Sequence, residues 1–183
     1  MNACDLCTGV FLLKGALLYM NKTKKIVIAG LFIAISVIFN SFIIIPVGLA
    51  KAAPVQHFMN VVTAVTLGPW YATGCAFITS LIRNMTGTGS ILAFPGSMIG
   101  AFLAGIIYRR FHNLAGAAAG EVFGTGILGA MVAALMAWPF LGAKVAIFGY
   151  VPSFFLSTFV GAVASALLLK AFKSRGLLDK FKD

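Results

Sequence analysis

The sequence predicts an all-α integral membrane protein with six transmembrane helices and both termini cytoplasmic. Three observations predict it. Of 183 residues, 61% are apolar and 10% are charged, and the mean hydropathy is +1.02, outside the range of soluble domains. The apolar residues fall in runs suited to membrane helices, and about six such runs with short connections account for the chain. The cations lie at the ends of these runs and are strongly sided. With the N-terminus inside, cytoplasmic segments carry Lys14, Lys22, Lys24, Lys25, Arg109, Arg110, Lys170, Lys173, Arg175, Lys180 and Lys182, against Lys51, Arg83 and Lys144 outside. That is the positive-inside pattern. The net charge of +10 therefore reports topology and contact with anionic lipid, and nothing argues for nucleic acid.

The elements follow in order. Residues 1–21 are read as an N-terminal extension, since their apolar part is short, interrupted by Lys14 and without a small-residue cleavage site. Met20, followed by "NKTKK" and a long apolar run, is expected to be the natural start. If the preceding residues are retained, they suit an interfacial segment. The membrane domain covers 22–173, and 174–183 form a basic cytoplasmic tail. The first span runs from Ile26 to Ile45 and stops at Pro46, with "VGLAKAA" a polar loop beyond it. The second starts near Pro54, a good first-turn residue, and ends at "LGPWY", where Gly68 and Pro69 reverse the chain. The third covers 71–83, the fourth 91–108, the fifth 114–137 with a stop at Trp138 and Pro139, and the sixth 152–172. The second and third are short, as helices lining a polar pocket commonly are.

Within this apolar frame a few residues carry chemistry. Gln56, His57 and Asn60 stand at i, i+1 and i+4 near the outer end of the second span, on one side of a helix. Polar groups facing lipid are costly, so the trio should point into the bundle. Hydrogen bonding between helices is the plainer reading, and three such residues together favour a ligand pocket. Arg83 and Asn84 close the third span, ahead of "TGTGS". Arg83 can snorkel to the interface, or it can join a ligand site with the glycine-rich turn offering backbone N–H groups. Glu121 is the only acidic residue within a span. A carboxylate there is a functional-site hypothesis by default, with His57, Arg83, a proton or a ligand group as its partner. "RNMTGTG" and "GEVFGTG" also share their spacing.

Small residues recur at helical spacing. Gly30 and Ala34 stand i, i+4 in the first span, and Gly96, Gly100 and Ala104 run along the fourth. Both patterns permit close helix approach, either inside the chain or, for the first span, with another membrane protein. Cys4 and Cys7 make half a zinc site at most, and Cys75 is read as a buried apolar thiol. The chain contains no GxxxxGK[ST] phosphate loop, no HExxH and no GxSxG elbow. No metal or cofactor is expected.

"PVGLAKAAPVQHFMNVV", "LGPWYA", "RNMTGTGSILAFPGSMIGAFLAG" and "GEVFGTGILGA" resemble the ThiW family, substrate-binding (S) components of energy-coupling factor (ECF) transporters linked to the thiazole precursor of thiamine. The resemblance covers residues from about 22 to 172. It implies an ECF S-component-like fold with a pocket opening outwards, a transmembrane coupling (T) protein and two ATPase subunits as partners, and a multi-pass location in the bacterial cytoplasmic membrane. It also implies that small residues of the first helix, here Gly30 and Ala34, meet the coupling protein. Glycine at 30 departs from the alanines usual in that pattern. The expected substrate-binding set is Gln56, His57, Asn60, Arg83, Asn84 and Glu121, with Trp138 and Tyr150 in the following outer loop to stack on a flat ring. Another vitamin precursor as ligand, an intramembrane enzyme using Glu121 and His57, and a stand-alone transporter are the competing readings.

Overall fold

The computed structural model describes residues 21–43, 45–47, 50–141 and 150–178. Cys4, Cys7 and the proposed start at Met20 lie outside the described residues, as does the end of the basic tail.

Helix α1 spans Lys22–Phe42. It ends ahead of the expected Ile45, because the isoleucine run leading to Pro46 is β-branched and the residue before a proline avoids helical backbone. The expected polar loop is a short antiparallel hairpin, β1 (Ile45–Val47) with β2 (Ala50–Ala52), in register Ile45↔Ala52 and Val47↔Ala50. Two strands leave Pro46 on an edge, where its missing N–H is tolerated. The backbone N–H of Ala53 then donates to Ser157 Oγ at 2.8 Å, tying the hairpin's exit to the last helix.

Helices α2 (Pro54–Leu67) and α3 (Pro69–Met85) meet at Gly68, whose φ of +89° permits an abrupt reversal. Pro69 opens α3 rather than breaking the chain, so this helix is longer than the expected 71–83. Helix α4 (Ala93–Phe111) runs through Arg109 and Arg110 and is terminated by His112 in the left-handed region at φ 50°. Asn113 caps the next helix by accepting the Ala115 N–H at 3.0 Å. That helix has three parts: α5 (Leu114–Phe123), a π-helical segment (Gly124–Gly129) and α6 (Ala130–Leu141). It contains Pro139 rather than ending there. Helix α7 covers Val151–Ser174.

Among the described residues, three stretches are long and apolar enough to cross a membrane: Lys22–Phe42, Leu114–Ala137 and Val151–Ser174. Helix α2 differs from them all. At 14 residues it is about 21 Å long, shorter than a bilayer's ~30 Å hydrocarbon core. Eleven of those residues are buried, since α1, α3, α4, α5 and α7 all pack on it. Helix α1, in contrast, buries only Ala29, Ser36 and Asn40.

The glycines of α4 pack within the chain. A Cβ on Gly129 would fall 2.3 Å from Gly96 Cα, and one on Gly124 would fall 2.7 Å from Gly100 Cα. The π segment therefore lies backbone to backbone on α4, a contact only glycine allows. Gly30 is the opposite case, since a Cβ there would meet no atom within 4 Å. It and Ala34 sit on an exposed face of α1.

Candidate functional site: a buried polar seam

The polar residues singled out in the sequence converge along α2. Gln56 is buried, and its Nε2 donates to Ser80 Oγ of α3 at 2.8 Å. Its Oε1 accepts from the Arg83 guanidinium. Arg83 is only 3% exposed, so it does not snorkel to an interface. Its second terminal nitrogen donates to the Thr88 carbonyl at 3.0 Å. Asn84 donates to the Ser80 carbonyl at 2.8 Å and so braces the end of α3.

At the next residue of α2, His57, and one turn further at Asn60, the partners change. Asn60 Nδ2 donates to Glu121 Oε1 at 2.9 Å and to the Ser97 carbonyl at 3.2 Å. His57 Nδ1 lies 2.9 Å from the same Glu121 oxygen, and as the Nδ1–H tautomer it donates there. Thr125 Oγ1 stands 3.1 Å from Glu121 Oε1 and 2.9 Å from the Gly96 carbonyl. Its single proton serves one of these at a time. Glu121 is 0% exposed, and its partner among the open choices is His57 rather than Arg83. Asn60, Thr125 and His57 all meet one carboxyl oxygen, Oε1, giving this buried polar group its partners.

Ser80 and Ser97 connect the two groups, with their hydroxyls 3.0 Å apart. Ser97 also donates to the Phe94 carbonyl at 3.2 Å, which leaves Ser80 to donate to Ser97. A continuous seam thus runs from Thr88 through Arg83, Gln56, Ser80 and Ser97 to Asn60, Glu121, His57 and Thr125. Two buried atoms on it have no hydrogen-bond partner among the described residues: Arg83 Nε, a donor, and Glu121 Oε2, which accepts when the carboxyl is ionised. The described cavities are grooves on other faces, none lined by these side chains.

Three expectations need correction. The glycine-rich turn does not hold its N–H groups out to a ligand: Thr88 and Gly89 both donate to the Arg83 carbonyl, at 2.9 and 2.8 Å, and Gly87 donates to that of Asn84. The second "GTG", 124–126, is π-helical rather than a turn, so the shared spacing reflects no shared geometry. Tyr150, which does lie between α6 and α7, is buried in a cluster with Leu92, Phe154 and alanines of α6 rather than open to a ligand. Trp138 belongs to α6 rather than to the loop after it.

Sequence reasoning missed Ser80, Ser97 and Thr125. Thr125 follows Glu121 by four residues, and Ser80 precedes Asn84 by four. Helical spacing from an already chosen residue was the available signal. Among the described residues no group of histidine, cysteine and acidic side chains could hold a metal ion. Cys75 is buried, with Sγ 3.8 Å from the Ala29 carbonyl.

The fold and seam define a class: a helical bundle with membrane-spanning character that confines its polar chemistry to the interior. Residues 26–175 match the family described as thiamine-precursor transporter protein (ThiW), and the chain belongs to this transporter family. Comparison with curated proteins found no match, nor did comparison with solved structures.

Proposed function

We propose that the chain is the S component of an ECF-type importer, capturing hydroxyethylthiazole from outside for ATP-driven uptake by partner subunits. In this reading six helical rods cross the bacterial cytoplasmic membrane with both termini inside. The observation that carries it is the buried seam with one free donor and one free acceptor. A neutral heteroaromatic alcohol presents the complementary pair, a ring nitrogen that accepts and a hydroxyl that donates. Arg83 Nε and Glu121 Oε2 would meet these groups, while Gln56, His57, Asn60 and Asn84 exchange bonds within the seam for bonds to the ligand. Gly30 and Ala34, exposed on α1, would receive the coupling protein, and two ATPase subunits would supply the energy.

Calorimetric titration of purified protein with hydroxyethylthiazole, its phosphate and thiamine tests the ligand. Saturable binding of the thiazole is expected, and its absence, or preference for another vitamin precursor, overturns the assignment. Reconstitution tests the partners: uptake should need the coupling protein and ATPases, and uptake by this chain alone would refute the S-component reading. Gly30→Leu or Ala34→Leu should abolish uptake and spare binding. The His57–Glu121 contact at 2.9 Å favours one second reading, an intramembrane acid–base enzyme. Turnover of the ligand by the isolated chain would support it.

A further inference from the structure

A groove of about 420 Å³ lies between the start of α3 and the end of α4, lined by Pro69, Trp70, Phe102, Ile106, Arg109 and Arg110. Its shape is fixed by a glycine. A Cβ on Gly105 would lie 2.5 Å from Pro69 Cα, so only glycine lets α3 begin directly on α4. This seats the Trp70 ring against Phe102, with centroids 5.2 Å apart, yet leaves Trp70 73% exposed. One turn beyond Gly105 come Arg109 and Arg110, both exposed.

The charge balance decides what such a groove suits. The only carboxylate among the described residues is Glu121, which is fully buried and held within the seam. Arg109 and Arg110 thus have no acidic partner among the described residues. Of the described grooves, this one combines cations with an apolar floor. A guanidinium pair matches phosphate oxygens, an exposed tryptophan suits the headgroup level, and Phe102 with Ile106 offers an apolar wall to hydrocarbon.

We propose that this groove binds an anionic phospholipid of the cytoplasmic leaflet, with the phosphate on Arg109 and Arg110, the glycerol region at Trp70 and an acyl chain along Phe102 and Ile106. The inference rests on the membrane topology proposed above. It goes beyond the general basic bias, because it assigns selectivity to one helix end and not to the comparable cations Lys170 and Lys173.

Native mass spectrometry of the detergent-purified full chain, with phosphatidylglycerol or phosphatidylcholine of matched acyl chains, tests it. The unaltered protein should retain phosphatidylglycerol about tenfold more strongly. R109Q/R110Q should lose this preference and K170Q/K173Q should keep it. Equal retention of both lipids by the unaltered protein, survival of the preference in R109Q/R110Q, or equal loss in both double variants would overturn the proposal. Photoactivatable phosphatidylglycerol on the unaltered protein needs no folded variant: labelling should map to the segments bearing Trp70 and Phe102, and labelling confined elsewhere refutes the site. Thiazole titration of the same preparations separates the two proposals. Loss of thiazole binding with lipid selectivity intact would remove the capture reading alone, and the converse would remove the lipid site alone.

Discussion

The two halves of the seam hold an acidic and a basic side chain by different means. Around Glu121, three side chains, two from α2 and one from the π segment, converge on one carboxylate oxygen. Around Arg83, a cation at the end of α3 reaches one side-chain amide and one backbone carbonyl. The two side chains do not pair with each other in the structure. The Glu121 half is built into the helix packing, since a Cβ on Gly100 would fall 2.0 Å from Thr125 Oγ1 and 2.7 Å from Glu121 Oε2. The Arg83 half leans on a turn near the surface, where Asn84 is only partly buried and Thr86 is exposed. The contrast suggests a fixed anchor and an adjustable one. A pocket that must open for a ligand would yield at the Arg83 end.

The largest expected effect breaks the anchor. Glu121→Ala leaves the buried donors of His57, Asn60 and Thr125 facing no acceptor and should cost more than about 3 kcal/mol, since each unsatisfied buried donor costs about 1–3 kcal/mol. Arg83→Ala leaves Gln56 bonded to Ser80 and admits water at the turn, so about 1–3 kcal/mol is expected. Thermal unfolding in detergent measures both. If Arg83→Ala destabilises as much as Glu121→Ala, the distinction between the two halves fails.

Ligand affinity is the next test. Gln56 belongs to the Arg83 half and His57 to the Glu121 half, though they are adjacent on α2. Each replaced by alanine should weaken thiazole binding at least about tenfold, or ~1.4 kcal/mol, with folded protein retained. Calorimetry that found both affinities unchanged would return the two residues to a packing role. A loss for one alone would say which half meets the ligand.

Much of this arrangement was legible in the sequence because a membrane makes polar residues conspicuous. Gln56, His57, Asn60 and Glu121 stand out against apolar neighbours, and helical spacing assigns the first three to one side of α2. The helix order and the start and end of α2 follow from apolar runs punctuated by Pro54 and Gly68, whereas α4 runs on through Arg109 and Arg110 to Phe111. What was not legible depends on contact between distant segments. Ser80, Ser97 and Thr125 are small, common in membrane helices, and become distinctive only when α3, α4 and the π segment meet α2. The π segment itself follows from glycine packing at Gly96, Gly100, Gly124 and Gly129, which spacing on α4 revealed from one side only. The hairpin was hidden because strands of three residues carry almost no periodicity. Arg83 was ambiguous for a physical reason: its long side chain reaches an interface or an interior partner equally well from a helix end.

A smaller effect tests how Thr125 contributes. Thr125→Val keeps the side-chain shape and removes the hydroxyl, so the contacts to Glu121 Oε1 and the Gly96 carbonyl are lost while the helix packing stays. The expected cost is about 1 kcal/mol, read from the unfolding midpoint. A shift as large as that of Glu121→Ala would mean that the hydroxyl, rather than the convergence of three partners, holds the anchor.

The smallest expected effect concerns the link between the halves. Ser80 and Ser97 make the side-chain connection at 3.0 Å, so a double-mutant cycle on Ser80→Ala and Ser97→Ala isolates it. Hydrogen bonds between membrane helices couple by about 0.6 kcal/mol on average, and that value is expected from unfolding. Repeating the cycle with bound thiazole sharpens the comparison further. If the Arg83 end opens while the Glu121 end stays fixed, ligand should displace the serine contact and reduce the coupling towards zero. An undiminished coupling would mean that both halves stay closed around the ligand, and the adjustable end would have to lie elsewhere in the bundle.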